Sequence, residues 1–316
     1  MNYQSLSGMD QPASVIVLGA ACYGTEIPEE DALALLDGFV AGGGNFLDTA
    51  HMYAQWVPGG AGASETTIGK WLKRNDRSRV LIGTKGADKG MDRQSIRRQL
   101  SESLDRLGVD RVDFYWLHTD DPKVPPGDIL EWLNELADEG SFGAFGCSNW
   151  RVDRMEQAAE YAAAHGVRPF AASQISWSLA LANPQVVAGI SQVFMDDDTF
   201  GWHRRVKMPL VAYSSQAGGF FAGKYDPAGP PPGTQPNANI IRLFGTKENY
   251  AKLEAVKKIA AKRGASPNQV ALAYLFSQGF PGLAIVGPHT MAQLEDSLGA
   301  GNLTLSAAEV ATAEGR

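Results

Sequence analysis

RVLIGTKGADKGMDRQSIRRQLSESLDRLGVDRVDFYWLH, residues 79–118, contains one complete unit of the fold. RVLIGTK, from Arg79, and VDFYWLH, from Val112, are short β-rich runs, the second nearly continuous in apolar residues. Strands covered on both faces read this way. MDRQSIRRQLSESLDRLG lies between them, is strongly helical and ends at Gly108. A strand, a helix and a second strand in succession form a unit whose strands pair in parallel.

The same alternation extends in both directions almost to the ends of the chain. Strand candidates are VIVLGAA from Val15 and NFLDTA from Asn45 before the unit. FGAFGCSN from Phe142, PFAASQIS from Pro169, PLVAYSS from Pro209 and GLAIVG from Gly282 follow it. Helical stretches separate them: EEDALALLDGFVAGG after Pro28, SETTIGKWLKR with Ser64 as its expected cap, DILEWLNELADEG, RVDRMEQAAEYAAAHG and SPNQVALAYLFSQG. In the last, Ser266 suits the N-cap and Pro267 the first helical position. An open doubly wound sheet and a closed (β/α)8 barrel both accommodate the pattern, and eight strands favour the α/β TIM barrel. No linker divides the chain, so residues 1–316 read as a single domain. Two Pro/Gly-rich insertions, Met52–Ala63 with VPGGAGA and Phe220–Gly245 with DPAGPPPGTQP, read as extended loops of that domain. MDDDTFGWHRR, before the seventh strand, reads as irregular.

Composition narrows the class of function. The chain has 316 residues, 44% of them apolar and 20% charged, with a net charge of −7. Such an acidic chain repels nucleic acid and anionic membrane surfaces, so neither is an expected partner. No apolar run reaches membrane-spanning length, and the N-terminus lacks the pattern of a secretory signal. Two cysteines, Cys22 and Cys147, read as reduced thiols. A cytoplasmic protein, monomeric or a small homo-oligomer, is expected.

In a barrel of this kind the active site lies at the C-terminal ends of the strands. The strand candidates end at Asp48, Lys85, His118, Ser148 with Asn149, Gln174, Tyr213 and Gly287, and Tyr53 follows Asp48 by five residues. Taken singly, such residues are ordinary caps, solvated lysines or structural histidines. Their placement together on one rim argues for a site. GGGNFLDTAHMYAQ, SETTIGKWL, LIGTKG, VDFYWLHTDDP and FGAFGCSNW, taken together, resemble the motifs of the aldo-keto reductases, and the resemblance runs from about Val15 to Leu298.

That resemblance implies a catalytic set of Asp48, Tyr53, Lys85 and His118. Reduction of a carbonyl needs a hydride on carbon and a proton on oxygen. A free tyrosine, with a pKa near ~10, is a weak acid for the task. The Lys85 ammonium is expected to acidify Tyr53, Asp48 to hold Lys85, and His118 to orient the carbonyl. The sequence offers no redox metal site, and the resemblance implies a nicotinamide cofactor. Ser148, Asn149 and Gln174 are expected at its carboxamide and Tyr213 stacked on its ring. YSSQAGGFFAGKY resembles the family's phosphate loop, with Ser214, Gln216, Ala217, Gly218 and Lys224 as contacts. AIVGPHTMAQLEDSL aligns with the adenosine-end motif, with Gly287, His289, Gln293 and Ser297 at contact positions. NADPH/NADP+ is the implied cofactor. Gly287 and Gln293 stand where the family often has basic residues for the 2′-phosphate, which leaves NADH/NAD+ open. No GxGxxG follows the first strand, which argues against a Rossmann site.

Pocket candidates for a small carbonyl or sugar substrate are Tyr23, Trp56 and Trp177, with Trp150, Trp202 and the His203–Arg205 run as further possibilities. The short tail after Ser297 implies an open pocket. Two other readings are a cofactor-binding regulatory subunit of the same fold with slow turnover, and a barrel hydrolase or aldolase using Lys85. The complete catalytic set argues against the first and the nicotinamide-type motifs against the second.

Overall fold

The computed structural model describes residues 1–88, 90–227 and 235–316. A short antiparallel ribbon, β1 (Tyr3–Gln4) with β2 (Ala13–Ser14), precedes the main sheet. That sheet comprises β3 (Ile16–Gly19), β4 (Phe46–Asp48), β5 (Leu81–Gly86), β6 (Val112–Leu117), β7 (Phe142–Ser148), β8 (Ser173–Gln174), β9 (Leu210–Ala212) and β10 (Gly282–Val286). The strands pair in parallel in this order, and β10 closes onto β3 through Ala284–Ile16 and Val286–Leu18. The closing ladder settles the choice between barrel and open sheet.

Each of the eight strand segments contributes to an inner cluster: Val17, Phe46, Leu81, Phe114 with Trp116, Ala144, Ala172, Val211 and Leu283. The large rings fit because small residues face them. A Cβ on Gly146 would lie 2.4 Å from the Ala172 carbonyl oxygen and 2.7 Å from the Trp116 ring. Leu6 and Ala13 of the ribbon join this cluster and cap the barrel where its strands begin. A larger core lies outside, between strands and helices. Helices Glu29–Ala41, Ala63–Leu72, Arg93–Leu107, Pro126–Asp138 and Val152–His165 follow β3 to β7 in turn. Arg93–Leu107 shows why such a segment is a helix. Asp92 caps its start by accepting from the Ser95 N–H at 2.9 Å, Ile96, Leu100 and Leu107 face inward, and Gly108 ends it at φ +68°.

Three expectations are corrected. Ser64 is not a cap, because the helix begins at Ala63 with Gly62 in the capping position, and Ser64 lies buried within its first turn. MDDDTFGWHRR is not irregular: Asp197–Val206 is a helix capped by Asp196, acidic in its first turn and basic in its last, which suits the helix dipole. The second insertion contains a helix, Ala238–Phe244, while its segment 228–234 lies outside the described residues. The capping role read for Ser266 is present in full. Its Oγ accepts from the Gln269 N–H at 3.0 Å, and the Gln269 side chain accepts from the Ser266 N–H at 3.1 Å. Ser266→Ala is expected to cost about 1 kcal/mol in stability, checked by urea unfolding.

Candidate active site

The loop that carries Tyr53 is tied down by buried polar bonds. Thr49 Oγ1 and Ser64 Oγ lie 2.7 Å apart, and Ser64 Oγ donates to the Ala20 carbonyl. Glu65, fully buried, accepts from Thr84 at 2.6 Å and Arg106 at 3.1 Å, and Arg106 also donates to the His51 carbonyl. Helix Ala63–Leu72 is thereby pinned to the tips of β3 and β5, and the loop before it has little freedom.

Asp48 and Lys85, both 1% exposed, form an ion pair with Nζ 2.5 Å from Asp48 Oδ2. Lys85 Nζ also donates to the Thr49 carbonyl at 2.8 Å and to Tyr53 OH at 3.0 Å. All three ammonium protons therefore have acceptors, which makes so deep a burial tolerable. Nζ lies 4.6 Å from the centre of the Tyr53 ring, and His118 stands edge-on to that ring at 5.8 Å. The four residues read as a set are thus together. Burial and the Asp48 carboxylate hold the Tyr53 hydroxyl well above its ordinary pKa, and burial pulls Lys85 below its own. The Lys85 ammonium is shared between Asp48, the Thr49 carbonyl and Tyr53 OH.

Gln174 donates to Asp48 Oδ1 at 3.1 Å, which couples β8 to the same cluster. Asn149, at φ +61°, has its side chain engaged on both sides. Oδ1 accepts from Tyr213 OH at 2.7 Å and the Val193 N–H at 3.1 Å, and Nδ2 donates to the His118 carbonyl and Ser148 Oγ. Its amide holds Tyr213 and the backbone of His118 in place. A cleft of about 510 Å³ opens beside Tyr53 and Tyr213. Ser214, Gln216, Gly218, Lys224, Gly287, His289, Gln293 and Ser297 line it. Ala217 is fully buried beneath it. Ser214, Ala217, Gly218 and Gly219 all have positive φ, so the chain curls tightly along the wall. Gln216 Nε2 donates to Asn268 Oδ1 at 3.2 Å and Ser297 Oγ at 3.1 Å, which ties the loop to two helices.

The model of the Aldo/keto reductase family matches residues 15–315. The chain belongs to this family. It is 31% identical over 303 residues to "Aldo-keto reductase str7" of Strobilurus tenacellus, covering 92% of this chain and 82% of that protein. It is 28% identical over 339 residues to "Protein tas" of Escherichia coli (strain K12), covering 97% and 94%. The solved glycerol dehydrogenase AKR11B4 from Gluconobacter oxydans shares the fold, with a TM-score of 0.77 at 21% identity over 99% of this chain and 94% of that one. As an aldo/keto reductase the protein is an oxidoreductase of carbonyl substrates, from a family that uses nicotinamide cofactors. No helix among the described residues is long and apolar enough to cross a membrane.

The substrate candidates of this aldo/keto reductase divide. Trp56 is 52% exposed, edge-on to Tyr53 at 6.4 Å, and donates to Glu26 at 3.2 Å, so it stands at the site. Tyr23 is fully buried, and its hydroxyl has no hydrogen-bond partner among the described residues. Trp177 is a correction. It stacks on Phe280 at 5.6 Å beside Phe200 and Tyr274, and lines a separate cavity of about 500 Å³ away from Tyr53. Its apolar ring satisfies the packing between helices, and only its backbone N–H reaches Tyr213. Trp150, Trp202 and His203 are also buried in packing, and His203 bonds the Met208 carbonyl. The cleft adds residues the sequence did not single out: Gly19, Ala21, Ser215, Asn268, Pro288 and Asp296 among them. Gly19 was legible as a strand tip. Asn268 and Asp296 were not, because only the docking of their two helices brings them 2.7 Å apart at the wall.

Proposed function

We propose that this aldo/keto reductase transfers hydride between NAD(P)H and an aldehyde, ketone or sugar carbonyl, with Tyr53 as the acid that protonates the carbonyl oxygen. The observation that carries this reading is the Lys85 ammonium, buried against Asp48 and 3.0 Å from the hydroxyl of Tyr53, which lines the cleft. The fit to a dinucleotide rests on that cleft. Its curled backbone suits phosphates, and Tyr213, at the Tyr53 end, suits a flat ring. When bound, the nicotinamide supplies the hydride. Tyr53 gives its proton to the oxygen as charge develops there, and Lys85 steadies the phenolate left behind. Asp48 keeps Lys85 charged and aimed, and Gln174 holds Asp48 from the other side. Asn149 fixes Tyr213, so the ring site and His118 are positioned by one amide. Mixing the protein with NADPH or NADH and a panel of aldehydes, followed by absorbance, tests the proposal; failure to bind either nucleotide ends it.

The charges along the cleft bear on which nucleotide is used. Lys224 and His289 are the basic side chains lining the cleft among the described residues, and Asp296 opposes them. NADPH is the family-implied partner, and a wall this poor in positive charge also admits NADH. A Cβ on Gly287 would meet nothing within 4 Å, so a larger side chain has room. Gly287→Lys is expected to improve NADPH affinity over NADH by about tenfold, read by calorimetric titration of both nucleotides. An unchanged ratio would place the 2′-phosphate elsewhere.

A further inference from the structure

The cavity of about 500 Å³ beside Trp177 contains a buried cation with few acceptors. Lys252 lies on the helix Lys247–Arg263 and is 5% exposed. Its Nζ donates to the Leu179 carbonyl at 3.4 Å, a long hydrogen bond, and lies 3.8 Å from Glu248 Oε1, beyond hydrogen-bond distance. The Glu248 side chain is 62% exposed, so its charge is largely met by solvent. Leu179, Glu248 and Lys252 all line the cavity, which places Nζ at its wall. Lys85, also buried, shows what such a cation needs: three acceptors between 2.5 and 3.0 Å. Two of the three Lys252 ammonium protons have no acceptor within hydrogen-bond distance among the described residues.

The remainder of the wall is aromatic and firmly held. Trp177, Phe200, Phe244 and Tyr274 supply flat apolar surface. Asn249, fully buried, clamps two of the lining segments together. Its Oδ1 accepts from the Leu181 N–H at 2.8 Å, and its Nδ2 donates to the Leu181 and Phe244 carbonyls, each at 2.8 Å. Most other charges on the wall are already engaged. Asp196 accepts from the Thr199 N–H at 2.8 Å as a helix cap, and Glu314 accepts from Tyr274 OH and from Arg316, each at 2.9 Å. Asp197 is exposed in the first turn of the helix that Asp196 caps. Arg204 lies 5.9 Å from the Phe200 ring and has no ion pair among the described residues.

We infer that this cavity is a second binding site, separate from the catalytic cleft, for a small organic acid with an aromatic or alkyl body, whose carboxylate takes the two free protons of Lys252. A carboxylate there supplies the acceptors that the ammonium lacks and offsets the cost of burying it. The body of the acid rests on the aromatic wall, which removes apolar surface from water. Arg204 adds a second unpaired positive charge to the lining. A cationic ligand would meet Glu248, Asp196 and Asp197, but exposed carboxylates of this kind contribute little to binding. The inference stands apart from the function proposed above, since it uses neither the catalytic set nor the nucleotide cleft.

Calorimetric titration of the full chain with three compounds of one shape tests the site: 4-phenylbutanoate, its neutral amide and 4-phenylbutylamine. The acid is expected to bind with a Kd of about 1 mM or tighter, and about tenfold tighter than the amide or the amine. Lys252→Met keeps the apolar stem and removes the charge. In that variant the acid is expected to weaken about tenfold, to the level of the amide, while the amide binds as before. An acid that binds no tighter than the amide overturns the inference, and so does an amine that binds more tightly than the acid. An acid that binds Lys252→Met as well as it binds the wild type is held elsewhere and overturns it too. If urea unfolding shows that the variant does not fold, a crystal structure of the wild type with the acid decides. A carboxylate within hydrogen-bond distance of Lys252 Nζ supports the inference, and an acid absent from this cavity overturns it.

Discussion

Tyr53→Phe is expected to lower kcat/KM for carbonyl reduction by roughly 10²- to 10⁴-fold, the range that a positioned general acid contributes. The change removes one oxygen atom. The ring keeps its edge-on contacts with His118 and Trp56, and Lys85 keeps Asp48 and the Thr49 carbonyl. Nucleotide affinity and stability should therefore change little, which separates lost chemistry from lost structure. Steady-state kinetics with one aldehyde, together with a nucleotide titration of the same variant, check both halves. A variant that retains full activity would remove Tyr53 as the acid and leave the fold and family untouched. Because Tyr53 is held above its ordinary pKa of 10, it stays protonated through the neutral range.

The second large effect is on stability as well as rate. Lys85→Met leaves the Asp48 carboxylate, 1% exposed, facing Gln174 and Tyr53 without its ammonium. Breaking a buried pair from one side costs about 3–5 kcal/mol, because the remaining charge has no solvent and no counter-ion. Guanidinium unfolding should show the loss. Removal of both charges in Asp48→Leu with Lys85→Met should recover most of it, since a buried pair replaced by apolar groups is often close to neutral in stability. The double variant should remain inactive. A double variant as unstable as the single one would show that the pair also organises the neighbouring loops, whose backbone carbonyl at Thr49 Lys85 holds.

The alternation of apolar strands with amphipathic helices was readable by eye, and so was its parallel order. Asp48, Lys85 and His118 were legible for the same reason: in a parallel barrel the ends of strands share a rim, so position along the chain converts into position in space. Ser64 misled, because a serine before an amphipathic run resembles a cap, and only the packed structure shows it bonded to Thr49 and Ala20 instead. The acidic and basic ends of Asp197–Val206 resembled a polar loop because the helix buries only part of one face. Trp177 looked like a pocket residue because its place just after a strand end says nothing about which way its ring turns.

The sequence by itself determined the parallel alternation of strands and helices, whose count favoured the barrel, the family resemblance and the shared strand ends that carry Asp48, Tyr53, Lys85 and His118, because these follow from local periodicity and from motifs contiguous in the chain. Closure of the sheet, through the ladder of β10 on β3, joins residues far apart in sequence and was decided by the tertiary structure. The tertiary structure alone decided the state of those groups. Burial and the Asp48 carboxylate hold the Tyr53 hydroxyl above its ordinary pKa, the Asn149 amide bonds Tyr213 and the His118 carbonyl, Asp88 lies against Nδ1 of His118, and Asn268 meets Asp296 across two helices. Each depends on desolvation or on a contact between distant segments. Neither is encoded at any one position, and both come into being only when the chain has closed on itself.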